Sequence, residues 1–115
     1  MNDFQISLKE KMDKYAHDVY KITKKFPKEE QFGSTSQLRR SSLSVILNYI
    51  EGFAREQSKT KKYFWKISYG SLKESKYLLH FTFIENYFSN KEYQEIAKLS
   101  DEIGAMLWKL IKSLK

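Results

Sequence analysis

The sequence predicts an all-α fold: an antiparallel, up-and-down bundle of four helices, formed as one domain over residues 1–115. Three observations lead there. One proline and four glycines are too few for the many turns of a β fold. Apolar residues recur at three- and four-residue steps over four long stretches. Those stretches are divided by short segments that carry helix-stop or helix-start chemistry.

The first helix is expected over residues 4–26, where Leu8, Met12, Tyr15, Ala16, Val19, Thr23 and Phe26 make one stripe. Pro27 disfavours helical geometry at the residue before it. The segment KEEQFG is then a loop with Gly33 as its flexible point. Ser34 and Gln37 have the spacing of a capping box, a hydroxyl followed three residues later by an amide. A second helix follows over residues 35–56. Gln57-Ser58 supplies a turn and a cap, which places a third helix over 59–87. Ser89 and Glu92 repeat the capping-box spacing and open a fourth helix over 90–114. Its apolar side carries Tyr93, Ile96, Leu99, Ile103, Met106, Leu107, Leu110, Ile111 and Leu114. Short connections between long helices make sequential neighbours antiparallel.

The second helix has two apolar arcs. At about 100° per residue, Leu43, Ile46, Leu47, Ile50, Phe53 and Ala54 fall on one, and Leu38, Val45 and Tyr49 on another. Between them runs a polar column of Ser44, Asn48, Glu51 and Arg55. In so small a bundle no helix is enclosed by its own chain, so a second apolar face points to self-association. Leu38, Val45 and Tyr49 are the expected subunit contact. Glycine costs about 1 kcal/mol against alanine inside a helix, so Gly52 and Gly70 need a reason. Folding back near residue 57 sets Gly70-Ser71 opposite Ser44, where small residues would let two backbones approach.

The formal charge is +7, and residues 34–66 hold seven basic and two acidic side chains. Residues 1–33 and 67–115 each carry seven and six. Clustering of this kind favours an anionic partner. With no cysteine there is no disulfide or thiolate site. The start MNDFQISLKEKMDKY carries charges where an apolar signal-peptide core would sit, so no signal peptide is expected there. The most apolar run, Leu78 to Ile84, is too short to cross a bilayer. A soluble, cytoplasmic protein without cofactor is expected.

Taken together, Val19-Tyr20, Phe26-Pro27, Glu30, the segment Thr35 to Arg40, Ser44, Asn48, Glu51-Gly52, Arg55, Gly70-Ser71 and Glu74 resemble a known pattern. It is that of the four-helix bundle proteins found in intervening sequences of bacterial 23S ribosomal RNA genes. About half of the chain follows it in register. Ser41 and Ser68 stand where that family has alanine, and Tyr49-Ile50 replaces isoleucine–alanine. The family in turn is similar to the accessory variability determinant protein of diversity-generating retroelements, a basic homopentamer that binds nucleic acid and associates with a reverse transcriptase. The resemblance implies a bundle, a ring-like homo-oligomer with a pentamer preferred, and an RNA or DNA partner.

The nucleic-acid candidates are Arg39, Arg40, Arg55, Lys59, Lys61, Lys62 and Lys66. Lysine and arginine contacts to phosphate give affinity without sequence preference. Tyr63, Phe64 and Trp65 lie among them, and exposed aromatics stack on unpaired bases. The bland alternative is a solvated charged face over core aromatics, with Phe64 the strongest core candidate. Arg55 has the favourable i,i+4 order with Glu51 and is also read as structural.

Ser44, Asn48, Glu51, Gly52, Gly70, Ser71 and Glu74 read as a structural motif at a helix crossing rather than as catalytic groups. Neither His17 nor His80 has a carboxylate three residues away, so the di-iron Glu-x-x-His arrangement is missing. No arginine is followed four to six residues later by a histidine, the spacing of some small all-α ribonucleases, and no glycine-rich phosphate loop is present. The chain is therefore expected not to be an enzyme. Two functions stay open, a nucleic-acid-associated oligomer and a protein-interaction scaffold or accessory subunit.

Overall fold

A computed structural model describes residues 1–114 and places four helices in them: α1 (Asp3–Thr23), α2 (Ser34–Phe53), α3 (Ser58–Ile84) and α4 (Asn90–Lys112). No strand occurs among the described residues. Asn2 and Gln5 close α1 with a reciprocal capping box, each side chain accepting from the other's backbone N–H at 2.8–2.9 Å. Ser89 and Glu92 do the same for α4, as their spacing predicts.

The expected box at Ser34 and Gln37 does not form. Gly33 is the N-cap of α2, and Ser34 already lies inside the helix. A single 3₁₀ turn, Lys28–Glu30, brings the Glu30 carboxylate back instead. That carboxylate accepts from the Ser34 hydroxyl at 2.7 Å, a negative group placed at the positive end of the helix. α1, α2 and α3 each stop three residues before the expected ends at 26, 56 and 87. α3 is halted by Asn86, whose φ of 64° is the left-handed geometry that ends helices.

Each helix packs against its chain neighbour, and α1 against α4, so the four form a closed ring of interfaces. Cross-links fix every pair as antiparallel. Thr23 meets Arg39 while Gln5 meets Tyr49. Tyr49 meets Trp65 while Ser44 meets Ser71. Tyr69 meets Trp108 while Lys76 meets Asp101, and Lys11 meets Glu102 while Lys25 meets Glu92.

The core is built from Leu8, Met12, Tyr15, Val19, Leu38, Val45, Tyr49, Trp65, Leu72, Leu79, Ile103, Leu107 and Ile111. Burying apolar area of this kind is the main favourable term in folding. Ser75 donates its one hydroxyl proton to the Leu72 carbonyl, so the buried Tyr15 hydroxyl donates to Ser75 at 2.7 Å. That bond links diagonal helices across the centre. Burial pushes both Tyr15 and Tyr49 well above the usual phenol range.

The crossing of α2 and α3 is the most extensive and is lined by small side chains. The Ser68 hydroxyl donates to the Val45 carbonyl at 2.6 Å, and Ser41 donates to Leu38 at 3.2 Å. Ser68 and Ser41 therefore both satisfy their hydroxyls on backbone carbonyls. Ser44 and Ser71 meet at 2.7 Å. Gly70 takes no part in this contact, contrary to the sequence-based expectation. It lies one residue, or about 100° of helix, away from Ser71, and a Cβ there would have nothing within 4 Å.

Gly52 has a different reason from the one expected. A Cβ there would fall 2.3 Å from the indole nitrogen of Trp65. The indole is buried against Gly52, stacks on Tyr49, lies tilted against Phe53, and donates to the Tyr49 carbonyl at 3.1 Å.

The arc expected to make the subunit contact is core, and the other arc is divided, with Ile46 buried and Phe53 packed on Trp65. Leu38, Val45 and Tyr49 are fully buried within the chain and cannot form a subunit contact. They face α1 and α3, where the small residues Ser41, Ser42 and Gly52 leave room for close packing. Leu47 and Ile50, from the other arc, face outwards at 59% and 41% exposure.

Candidate nucleic-acid interface

The seven basic candidates are distributed over different surroundings. Arg39 is half-buried: its Nε donates to Thr23 Oγ1 at 2.8 Å, and its guanidinium lies 4.7 Å from the Tyr20 ring centre. It ties the end of α1 to α2. Arg40 is exposed in a shallow groove that it shares with Ser44, Ser71 and Glu74. Arg55 is ion-paired with Glu51 and covers the Phe64 ring at 4.8 Å. Lys61 lies over Phe53 and Trp65 at 5.5 and 5.7 Å, closing the end of the core. Asn48 donates to the backbone and hydroxyl oxygens of Ser44, both at 2.9 Å. The polar column of α2 is thus bonded internally and to α3.

Lys59, Lys62 and Lys66 lie on the outer side of α3, with Lys59 and Lys66 exposed and Lys62 half-buried. Steps of three and four residues continue that ridge to Lys73, which is also exposed. Residues 57–73 contain no carboxylate. The adjoining part of α4, residues 103–114, contains none either and adds exposed Lys112. Exposed Glu56 and Glu74 bound the α3 stretch at its two ends.

Of the three neighbouring aromatics, only Tyr63 is free, at 61% exposure. Trp65 is core, and Phe64 is half-buried beneath Arg55. A second aromatic pair joins the lysine face from α4. Tyr69 and Trp108 lie 5.3 Å apart, with Lys73 5.1 Å from the Tyr69 ring centre and Lys112 5.5 Å from that of Trp108. Lys73, Tyr69, Trp108 and Lys112 escaped the sequence reading because it weighed charge in windows along the chain. Extending the period from Lys59 through Lys66 to Lys73 finds the α3 part, whereas the α4 part depends on which helices are neighbours.

The sequence profile of the 23S rRNA-intervening sequence proteins matches residues 5–109. The chain belongs to that family. Its fold is similar to the crystal structure of a protein with unknown function from the S23 ribosomal protein family of Bacteroides thetaiotaomicron VPI-5482. The TM-score is 0.88 at 22% identity, covering 96% of this chain and 99% of that one. No curated protein matches the sequence. Among the described residues, no helix is long and apolar enough to cross a membrane.

Proposed function

We propose that this family member is a non-enzymatic, cytoplasmic, oligomeric protein that binds the backbone of RNA or DNA through the lysine face of α3 and α4. One observation carries the reading: Lys59, Lys62, Lys66 and Lys73 follow one ridge of α3, Lys73 and Lys112 flank the Tyr69–Trp108 pair, and residues 57–73 and 103–114 contain no carboxylate. Lysines so placed release condensed counterions when they meet phosphate, so binding is insensitive to sequence and steeply salt-dependent. Asn48 and Glu51 on α2 are each occupied in structural contacts, Asn48 with Ser44 and Glu51 with Arg55.

The test is fluorescence anisotropy with labelled RNA and DNA at ~50 and ~200 mM salt, a range over which several phosphate contacts change affinity by orders of magnitude. Changing Lys62, Lys66 and Lys73 together to glutamine removes up to three contacts, and the log–log salt slope should fall by about 2–3. Absence of binding at low salt, or an unchanged slope, would overturn the reading.

A specific observation supports a second activity, self-association or docking of a protein partner such as a reverse transcriptase. Leu47 and Ile50 on α2 and Ile6 on α1 are each more than 40% exposed, and half-buried Leu43 adjoins them on α2. Apolar patches of this kind mark interaction surfaces. A pentamer built on this face would place five lysine surfaces in one particle and gain avidity. Light scattering that gives only a 13.8 kDa species at micromolar concentration would refute the oligomer.

A further inference from the structure

We infer that the α3–α4 face selects single strands, its unpaired bases stacking on Trp108 and Tyr69 while Lys66, Lys73 and Lys112 hold the phosphates; this rests on the backbone-binding reading above. Duplex recognition through phosphate alone needs only lysines. The face presents more than that. Trp108 is 46% exposed although its helix has a complete apolar side turned to the core.

The group above each ring is informative. Lys73 stands over Tyr69 and Lys112 over Trp108, and both lysines are themselves exposed. Tyr69 is half-buried against the core and Trp108 is the more open ring, and what stands over each on its outer side is an exposed lysine side chain. An arriving base can take the place of the lysine alkyl chain on the ring, and the displaced ammonium then lies beside the sugar–phosphate backbone. Stacking accepts any base, because every base has a π-face. From Lys59 to Lys73 the ridge runs about 21 Å at 1.5 Å per residue, the length of about six stacked nucleotides at ~3.4 Å each. A duplex keeps its bases paired and offers only its backbone to such a surface.

The protein supplies its own reporter. It has two tryptophans, and Trp65 is 1% exposed. Intrinsic fluorescence is titrated with oligo(dT) and oligo(rU) and, in parallel, with a duplex of equal length. Single strands should quench the Trp108 contribution and bind more tightly than the duplex. The Trp108→Leu variant keeps apolar volume against Tyr69 but removes the π-face. It should weaken single-strand binding about five- to tenfold, within the range of one base–aromatic stack, and leave duplex binding within about twofold.

Equal affinity for single strand and duplex, or a Trp108→Leu variant unchanged toward both, would overturn stacking while leaving backbone binding intact. Loss of all binding only in the Lys62, Lys66 and Lys73 glutamine variant, with no fluorescence change in the parent, would do the same. No binding of any nucleic acid by the parent would overturn both readings. Comparison of oligo(dT) with oligo(rU) separates DNA from RNA within the supported outcome.

Discussion

Substituting Gly52 with alanine sets helix propensity against packing, and the two arguments give opposite signs. Propensity alone predicts a gain of up to about 1 kcal/mol. The new methyl would sit 2.3 Å from Nε1 and 2.4 Å from Cδ1 of Trp65. Comfortable non-bonded separations are about 3.5–4.0 Å between carbons, so the indole must retreat by more than about 1 Å. Overpacking of this kind costs about 1–3 kcal/mol. The retreat also stretches the 3.1 Å bond to the Tyr49 carbonyl, and a buried N–H left without a partner costs about 1–3 kcal/mol. Net of the propensity gain, Gly52→Ala should destabilise by about 1–5 kcal/mol and lower Tm by roughly 4–20 °C in a chain of this size.

Gly70→Ala is the matched control. The same chemical change meets open space, so it should stabilise by about 1 kcal/mol. Urea denaturation followed by far-ultraviolet circular dichroism measures both. The double variant Gly52→Ala with Trp65→Leu should cost about 1–3 kcal/mol less than the sum of its parts, because the clash is gone. A Gly52→Ala protein with a urea midpoint equal to or above the parent would refute the packing argument.

Three other outcomes are expected. Tyr15→Phe should cost about 1 kcal/mol, because Ser75 keeps its bond to Leu72, whereas Ser75→Ala strands the buried Tyr15 hydroxyl and should cost about 1–3 kcal/mol; equal losses in urea melts would contradict this. Glu92 is held below the usual carboxylate range, first by Lys25 and then by the backbone N–H of Ser89, so its contribution is present above about pH 4.3 and fades as the pH falls through its lowered folded value. The Tm difference between parent and Glu92→Gln should shrink on acidification, and a difference that grew would show the sign to be wrong. Replacing Leu47 and Ile50 together by glutamate should leave the helical signal unchanged and dissociate any oligomer, and light scattering showing an undisturbed assembly would place the contact elsewhere.

Helix number, order and type were legible because 3.6-residue periodicity and a lack of breakers are strong local signals. The Ser89 capping box was legible for the same reason, whereas the one at Asn2 needed recognition of an asparagine–glutamine version. The start of α2 was misread because its stabilising carboxylate, Glu30, comes from outside the helix. Which arc of α2 faces inwards could not be read locally. Both arcs are apolar, and the choice is made by Trp65 and the small residues of α3. The lysine ridge was half legible: Lys59, Lys62 and Lys66 follow a period, while Arg39 and Lys61 were removed from it by contacts with α1 and with core rings.

The closed ring of helix interfaces bears on how the chain folds. Its largest interface joins α2 to α3, helices separated by only a few residues, so this hairpin forms at small loop-closure cost. The interface between α1 and α4 joins the two ends of the sequence and is entropically the most expensive to make. The α2–α3 hairpin is thus the natural nucleus, and substitutions at Ser68 or Gly52 should act chiefly by slowing folding. Substitutions along the α1–α4 seam, such as at Lys11 or Glu102, should instead accelerate unfolding. The lifetime of the folded molecule is then set on the α1 side of α4, while the lysine face uses its α3 side, so resistance to proteolysis can be altered at Lys11 without substituting a residue of the binding surface.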